Sequence, residues 1–317
     1  MLVNDSPIPR DAFREWTERL RHEIDLCDAS FFEATTAIAF ADFAARGADV
    51  AVIEVGLGGR LDATNVVAPL VSAVVSLSRE HTDYLGATLE EIAGEKAGIA
   101  KQHTPFVVGE PDQRLAQLLG DRAEELGASV HTIPEDLLYD GPMAMGGLHQ
   151  RRNAAVAETV LKLLPTTLRP DDSEIADGIR TAFVPGRFDR RGKWLFDVAH
   201  NPAGMAALIT QIRESKLARP IHVLVSLVDD KDWRVILPMI RAEVDSAWLT
   251  IAPSIPGDRS PDLQRMVDET GADLFTEPDF DIALANVQLG AGTVLVTGSF
   301  FTVGDAMARL PGFPPLG

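Results

Sequence analysis

Hydrophobic and polar positions follow two different periods along this chain, and the periods alternate. Short apolar runs of strand length occur in both halves of the sequence, and longer segments with one apolar stripe separate them. The predicted strands are Val50–Val55, Leu70–Leu77, Phe106–Val108, Val130–Ile133, Trp194–Val198, His222–Leu227, Ser246–Ile251, Asp273–Phe275 and Thr293–Val296. The predicted helices are Arg10–Leu26, Phe31–Arg46, Leu89–Lys101, Gln113–Leu126, His149–Leu164, Ser173–Phe183, Ala203–Lys216, Trp233–Ile240, Pro261–Thr270 and Ile282–Leu289. This alternation predicts an α/β fold with mostly parallel sheets covered by helices.

The chain is long enough for two domains, each with its own core. Pro185-Gly186 interrupts the pattern and is interpreted as a domain joint. We therefore predict an N-terminal α/β domain over residues 1–184 and a C-terminal, Rossmann-like α/β domain over residues 185–317.

Composition and charge exclude several classes of partner. The formal charge is 29 − 47 = −18, which opposes binding to nucleic acid or to anionic membranes. A single cysteine, Cys27, excludes an internal disulfide and is typical of a reducing compartment. Met1–Arg10 is polar and contains two prolines, so no signal peptide is expected, and no apolar run has the length of a membrane span. A cytoplasmic protein is predicted.

A glycine-rich run, Glu54–Asn65, follows the first predicted buried strand. Its glycines allow backbone amides to approach a ligand, and the carboxyl end of a parallel strand is where α/β proteins bind ligands. A dinucleotide fingerprint is not predicted, because Leu61 replaces the last glycine and no helix opens there. The alternative is that the glycines serve only a tight loop.

Two further residues stand near this run in the predicted sheet. His81 follows the next strand, and with Glu54 it offers an imidazole and a carboxylate to a divalent cation. Lys96 lies within the apolar stripe of its helix, where burial favours a neutral, reactive amine. The alternative for His81 is a structural role. The alternative for Lys96 is a packed aliphatic stem or an ion pair with Glu95.

The second half contains a comparable loop, Asp197–Pro202, between a strand and a helix. Asn201 suits the N-cap and Pro202 suits the first helical position. Asp197 and His200 would then lie beside a helix N-terminus, and Arg187 could bind an anion there. These residues predict a ligand cleft.

The motifs, in their order, resemble the folylpolyglutamate synthase and dihydrofolate synthase family of the Mur ligase superfamily. The matching segments are Phe31–Thr36, Glu54–Asn65, His81–Gly86, Glu95–Ile99, His149–Ala155, Gly186-Arg187, Asp197–Pro202, Asp230–Asp232 and Thr297–Ser299. The resemblance implies a Mur-ligase-type ATPase domain followed by a glutamate-ligase domain.

The resemblance also implies a reaction and its residues. ATP would phosphorylate a folate or dihydropteroate carboxylate, and the amine of L-glutamate would attack the acyl phosphate. By resemblance, Glu54 and His81 match Mg²⁺ ligands, and Lys96 matches a lysine that becomes carbamylated. The remaining matches are Asn153, Arg187 and Asp197 as nucleotide contacts, Leu61, Asp62 and Ala63 as part of the pterin pocket, and His200 and Ser299 near the incoming glutamate.

Two departures from the family pattern affect this expectation. Glu80 stands where the family has aspartate, and no G-x-x-x-x-G-K-[ST] phosphate loop occurs in these 317 residues. Since such a loop holds the β- and γ-phosphates, we expect weak ATP binding and slow ligation. Three alternatives follow. The first is a ligase whose start is misplaced or whose N-terminal P-loop fragment is supplied separately, the second is a non-catalytic folate-binding remnant, and the third is another Mur-type amino-acid ligase.

Overall fold

A computed structural model describes residues 1–78 and 82–312. In chain order its elements are β1 (Leu2–Val3), β2 (Ser6–Pro7), α1 (Arg10–Leu26), α2 (Phe31–Ala45), β3 (Ser72–Val74), α3 (Thr82–Leu85), α4 (Leu89–Ala97), β4 (Pro105–Val108), α5 (Gln113–Glu125), β5 (Ser129–Thr132) and α6 (Leu148–Leu163). They continue with α7 (Asp172–Thr181), β6 (Asp189–Arg191), β7 (Trp194–Phe196), α8 (Pro202–Glu214), β8 (Ile221–Val225), α9 (Trp233–Arg241), β9 (Ser246–Leu249), α10 (Leu263–Thr270), β10 (Phe275–Thr276), α11 (Phe280–Val287), β11 (Thr293–Thr297) and α12 (Phe300–Arg309). The predicted α/β fold with parallel sheets is confirmed.

The chain divides into two compact units. Unit one comprises residues 1–137 and 153–171, and unit two comprises residues 138–152 and 172–317. This division differs from the predicted joint after residue 184, because residues 138–152 and 172–184 belong to unit two. The turn at Gly186 lies in unit two, as predicted. The Val198 N–H donates to the Gly186 carbonyl at 2.9 Å, and the Gly186 N–H donates to Asp189 at 3.3 Å. The functional domains 1–184 and 185–317 stay a prediction.

Unit one contains a parallel sheet in the order β3-β4-β5. Small and apolar side chains of α4 and α5, among them Ala93, Ala97 and Leu119, cover one face of the sheet. Val156 of α6 and Val107 of β4 belong to a second hydrophobic cluster. The residues of this sheet alternate between the two clusters, as expected for a sheet covered on both sides.

The predicted strand Val50–Val55 is wrong: the segment forms no strand in the described structure. Its backbone makes no hydrogen bond to another described backbone segment, and the Val52 side chain is 95% exposed. An apolar run becomes a strand only when a neighbouring strand pairs with it, and that pairing is not written in the run itself.

Unit two contains a six-stranded sheet in the order β10-β9-β8-β11-β7-β6. All neighbours are parallel except β6, which runs antiparallel to β7. Helices α8, α9 and α10 supply one buried cluster, and α11 and α12 supply the cluster on the other face. This is a doubly wound sheet, and the carboxyl ends of β7, β8 and β11 meet at one edge.

Helix ends agree closely with the sequence predictions where a capping residue is present. The capping boxes Ser30–Glu33 and Thr88–Glu91 are both formed, and Asn201 caps α8 with Pro202 in its first turn. Helix α12 was not predicted. Within residues 1–78 and 82–312, every helix is too short or too polar to cross a bilayer.

Candidate functional site

The glycine-rich run of unit one lies directly on the helix that carries Lys96. A Cβ added at Gly59 would lie 2.9 Å from the Glu95 carbonyl oxygen and 3.1 Å from that of Lys96. A Cβ at Gly98 would overlap Arg60. The Arg60 N–H also donates to the Glu95 carbonyl at 2.8 Å. Both glycines are therefore required for close packing of the run against the end of α4, and for Gly59 this supports the tight-loop interpretation.

Asp62 closes the loop by accepting four hydrogen bonds. Its carboxylate receives the N–H groups of Gly56 at 3.1 Å, Leu57 at 2.9 Å and Thr64 at 2.9 Å, and the Thr64 hydroxyl at 2.5 Å. Partial burial raises the pKa of Asp62, but the hydrogen bonds from Thr64, Leu57 and Gly56 together outweigh burial, and the net pKa lies below the ordinary value. The neighbouring Leu61 side chain is 79% exposed. Asp62 shapes the loop, and Leu61 presents an apolar surface beside it.

Lys96 is half-buried on α4, within the predicted apolar stripe. The alternative of an ion pair with Glu95 is wrong, because the Glu95 carboxylate accepts from the Arg60 guanidinium at 2.9 and 3.0 Å. The Lys96 ammonium has no hydrogen bond or ion pair within the described part of the chain. Lys96 is thus available for chemistry that a paired lysine could not perform.

The predicted metal ligands of unit one are only partly described. Glu54 is exposed at the end of the extended segment, and His81 lies outside the described residues. Among residues 1–78 and 82–312, no group of three or more histidine, cysteine or acidic side chains is arranged to hold a metal ion. Asn153 lies on an exposed position of α6.

Unit two brings the predicted residues of its own loop together at the carboxyl edge of the sheet. The Asp197 carboxylate accepts the N–H groups of Phe188 and Ala199, each at 2.9 Å. Burial raises the pKa of Asp197, and these two hydrogen bonds with the positive charge of Arg187 offset the effect only in part. Asp197 therefore ties the Gly186–Phe188 turn to the loop that follows β7.

His200 is held in a defined tautomer. Its Nδ1 lies 2.9 Å from the Val198 carbonyl oxygen. Since a carbonyl only accepts, Nδ1 carries the proton, and Nε2 of the neutral ring is left as a hydrogen-bond acceptor. The same loop thus carries a half-buried carboxyl group and a ring nitrogen that can take a proton.

Phe300 is a member of this site that the sequence motifs did not indicate. It is the first residue of α12, and its ring centroid lies 5.9 Å from that of His200. The guanidinium carbon of Arg187 lies 5.5 Å from the Phe300 ring centroid. Its place directly after the Thr297-Gly298-Ser299 motif was the available signal. Arg187, Asp197, His200 and Phe300 form one cluster, which we call the edge cluster.

Ser299 is buried and caps α12. Its hydroxyl accepts the Thr302 N–H at 3.1 Å and lies 2.6 Å from the Thr302 hydroxyl. The Thr302 hydroxyl donates to the Ser226 carbonyl at 2.8 Å, and Gly298, at φ +107°, lies against the same carbonyl. The side chain of Ser299 is therefore used in capping, and the α12 N-terminus is fastened to the end of β8.

The loop after β8 presents a lysine at the same edge. Arg259 pairs with Asp230 at 2.8 Å, and Arg265 pairs with Asp229. The side chain of Lys231, between β8 and α9, has no hydrogen-bond or ion-pair partner within the described part of the chain. Two ion pairs thus hold a loop whose lysine is available to an anion.

His149, at the start of α6, also experiences the charge of Arg187. Burial lowers the pKa of His149, and the positive charge of Arg187 lowers it further. His149 is therefore neutral over a wider pH range than an ordinary histidine.

Comparison of this chain with known proteins identifies its family. Residues 27–153 match the Mur ligase middle domain, and residues 180–300 match the Mur ligase glutamate ligase domain. The dihydrofolate synthase/folylpolyglutamate synthase of Escherichia coli is 33% identical over 310 residues, covering 92% of this chain and 71% of the relative. This chain belongs to the folylpolyglutamate synthase/dihydrofolate synthase family. The family consists of ATP-dependent amino-acid ligases.

Solved structures of this family agree with the fold. E. coli FolC in complex with DHPP and ADP superposes with a TM-score of 0.84 at 28% identity, covering 95% of this chain and 76% of that one. The bifunctional folylpolyglutamate synthase/dihydrofolate synthase with Mn, AMPPNP and L-glutamate bound gives a TM-score of 0.82 at 30% identity, covering 96% of this chain and 77% of that one. The α/β architecture of both units is that of this ligase family.

Proposed function

We propose that this protein provides the machinery for ATP-dependent ligation of L-glutamate to a folate or dihydropteroate carboxylate. The observation that carries the proposal is the edge cluster of unit two. It combines an available guanidinium, a half-buried carboxyl group and a histidine with an acceptor nitrogen at Nε2. Support also comes from the family membership and from relatives whose structures contain ADP, DHPP, AMPPNP, Mn or L-glutamate. The cytoplasmic location stays a prediction.

The proposed reaction has two steps whose atoms balance. A carboxylate oxygen of the pterin substrate attacks the γ-phosphorus of ATP, and ADP leaves. The glutamate amine then attacks the acyl carbon, phosphate leaves, and the amine gives up one proton. His200 is suited to accept that proton at Nε2, since its Nδ1–H is already bound to the Val198 carbonyl.

Anion binding is assigned to the cationic side chains of unit two. Arg187 and the loop of Asp197 are proposed as nucleotide contacts. We assign Lys231 and the N-terminus of α12, next to Ser299, to the carboxylates of the incoming glutamate. A helix N-terminus and an unpaired ammonium both favour negative charge.

Unit one is assigned the pterin and the metal. Leu61 and Ala63 are proposed to contact the pterin ring, with Asp62 holding their loop in shape. Asn153 is proposed as a further nucleotide contact. Glu54 supplies an exposed carboxylate that has no partner among the described residues, which fits the oxygen preference of Mg²⁺, and His81 is its proposed companion. Mg²⁺ held there would neutralise phosphate charge.

Lys96 is proposed to react with CO₂ to form a carbamate, releasing one proton. The amine is half-buried and has no hydrogen-bond or ion-pair partner within the described part of the chain, which supports this assignment. In an active protein, Lys96→Ala should lower the ligation rate by roughly 100-fold or more, the scale of losing one electrostatic group. Acetate or propionate should restore part of the rate by replacing the lost anion. The exposed Lys216→Ala is the control, and an unchanged rate in Lys96→Ala would contradict the carbamate.

Glutamate-dependent release of ADP tests the ligase proposal itself. We expect no such release from the 317-residue chain with dihydropteroate or tetrahydrofolate, because the chain contains no phosphate-loop motif. A chain extended before Met1 by a family phosphate-loop segment, or mixed with that segment, should release ADP. Rapid turnover by the 317 residues alone would contradict the need for the loop.

The same assay separates the alternatives. An extended chain that binds a folate without any glutamate-dependent ADP release would favour the non-catalytic remnant. Activity only with a nucleotide-linked peptide substrate would favour another Mur-type ligase. Activity in the mixture, without covalent extension, would favour a split ligase.

A further inference from the structure

Phe300 contacts two charged or ionisable side chains of the edge cluster at once. Its ring plane is tilted 48° from that of His200, with 5.9 Å between centroids, a separation typical of paired rings. The Arg187 guanidinium carbon is 5.5 Å from the centroid, within the distance of a cation–π contact. Phe300 nevertheless remains 55% exposed. A large aromatic side chain at this position is thus not explained by core packing.

The helix turn that carries Phe300 is anchored by hydrogen bonds, whereas the side chain of its partner Arg187 is not anchored among the described residues. The Ser299 cap and the Thr302–Ser226 hydrogen bond anchor the first turn of α12. The Arg187 side chain is exposed and makes no hydrogen bond or ion pair within the described structure. The aromatic contact is therefore what orders this arginine.

We propose that Phe300 is a positioning residue that aligns the Arg187 guanidinium with the His200 imidazole. The ring holds both groups, so a movement of one is transmitted to the other. This role in the reaction rests on the proposed function, in which Phe300 couples the nucleotide contact Arg187 to His200, the residue that receives the glutamate proton. The alignment itself involves only the side chains of Phe300, Arg187 and His200.

Nuclear magnetic resonance of the full 317-residue chain tests the proposal without any nucleotide. In Phe300→Leu the bulk is kept but the aromatic ring is lost. We expect the imidazole protons of His200 to lose their ring-current shift and the Arg187 side chain to become more mobile. Phe300→Tyr should restore both signals, because it restores the ring.

The matched control is Phe275→Leu. Phe275 is 57% exposed and lies in the same unit, where it stacks on Trp248 at 4.9 Å. Its loss should leave the His200 and Arg187 signals unchanged. An equal change in both leucine variants would show a general loosening of unit two and would overturn the positioning role.

A double-mutant comparison tests the coupling. Arg187→Met should shift the His200 resonances in the wild-type background and should have little further effect in Phe300→Leu. Equal effects in both backgrounds would overturn the proposal. Because no nucleotide or substrate is added, this result can fail while the ligase proposal holds, and the ADP-release assay can fail while the positioning role holds.

Discussion

Two aspartates, Asp62 and Asp197, both accept backbone N–H groups, yet their pKa values shift in opposite directions. Asp62 is only partly buried, so its four hydrogen bonds outweigh burial and its pKa is lowered. Asp197 is more deeply buried, and burial outweighs its two hydrogen bonds. The hydrogen bonds thus favour the charged form of Asp62, whereas burial disfavours the charged form of Asp197.

Asp62→Ala should destabilise the protein at neutral pH by about 1–3 kcal/mol, because it leaves several donors without their acceptor. A lowered pKa gives stability above the ordinary aspartate pKa that is lost as pH falls through the folded-state value. The difference from wild type should therefore shrink in acid. Denaturant unfolding at several pH values measures this. Asp49→Ala, an exposed aspartate, is the control, and equal losses in both variants would contradict the loop role.

The lowered pKa of His149 predicts a second dependence of stability on pH. Its folded-state pKa is lowered, so the unfolded chain takes up the proton first as pH falls. Stability should decrease as pH drops through the ordinary histidine value of about 6.5 and below it. His149→Gln should reduce this decrease, measured by denaturant unfolding, and His22→Gln on α1 should not. Identical pH slopes for wild type and His149→Gln would contradict the assignment.

At the scale of elements, the end of α4 and the glycine-rich run form one packed unit. Glycine is needed at positions 59 and 98 because the run and the end of α4 approach each other closely, and neither residue has a positive φ. The same contact uses Glu95 for Arg60, and Lys96 has no partner within residues 1–78 and 82–312. Packing of these two elements therefore decides which side chain pairs with Glu95.

Gly59→Ala and Gly94→Ala test this packing as a matched pair. The Cβ at position 59 would press on two carbonyl oxygens of α4, so we expect a loss of about 1–3 kcal/mol in the free energy of unfolding. At Gly94, on the same helix, a Cβ meets nothing within 4 Å, and alanine should stabilise by about 0.5–1 kcal/mol. Equal and small effects would refute close packing of the run on α4. Thermal and denaturant unfolding provide the measurement.

At the scale of the whole molecule, unit one leaves apolar surface uncovered in the described structure. Val52 lies in the unpaired segment 50–55, and β3 is an edge strand. Unpaired strand-like segments with exposed β-branched residues favour association with other chains. This surface, more than the edge cluster of unit two, should govern solution behaviour.

Val52→Lys should therefore reduce concentration-dependent association while changing the free energy of unfolding by less than about 0.5 kcal/mol. Light scattering across a concentration series measures the first effect. Leu289→Lys removes a leucine that is 83% exposed in unit two and is the control for added charge. If both variants reduce association equally, net charge rather than the 50–55 segment is responsible.

Much of the fold was readable from the sequence because its signals are local. Capping boxes act over three residues, and amphipathic stripes over one or two turns, so the bounds of α1, α2, α5 and α9 agree with prediction within a residue or two. Helix α12 was missed, since its β-branched and aromatic residues and Gly304 weaken the helical pattern. The ordered family motifs were also sufficient by themselves to identify the ligase class.

The sequence alone thus determined the α/β alternation, the capped helix starts and the family, all of which depend on neighbouring residues or on ordered motifs. Only the tertiary structure decided that residues 50–55 have no strand partner, that Glu95 binds Arg60 rather than Lys96, and that Phe300 lies between Arg187 and His200. Each of these depends on which distant segments meet. A linear pattern does not encode that choice, because many segments of similar character could compete for the same partner.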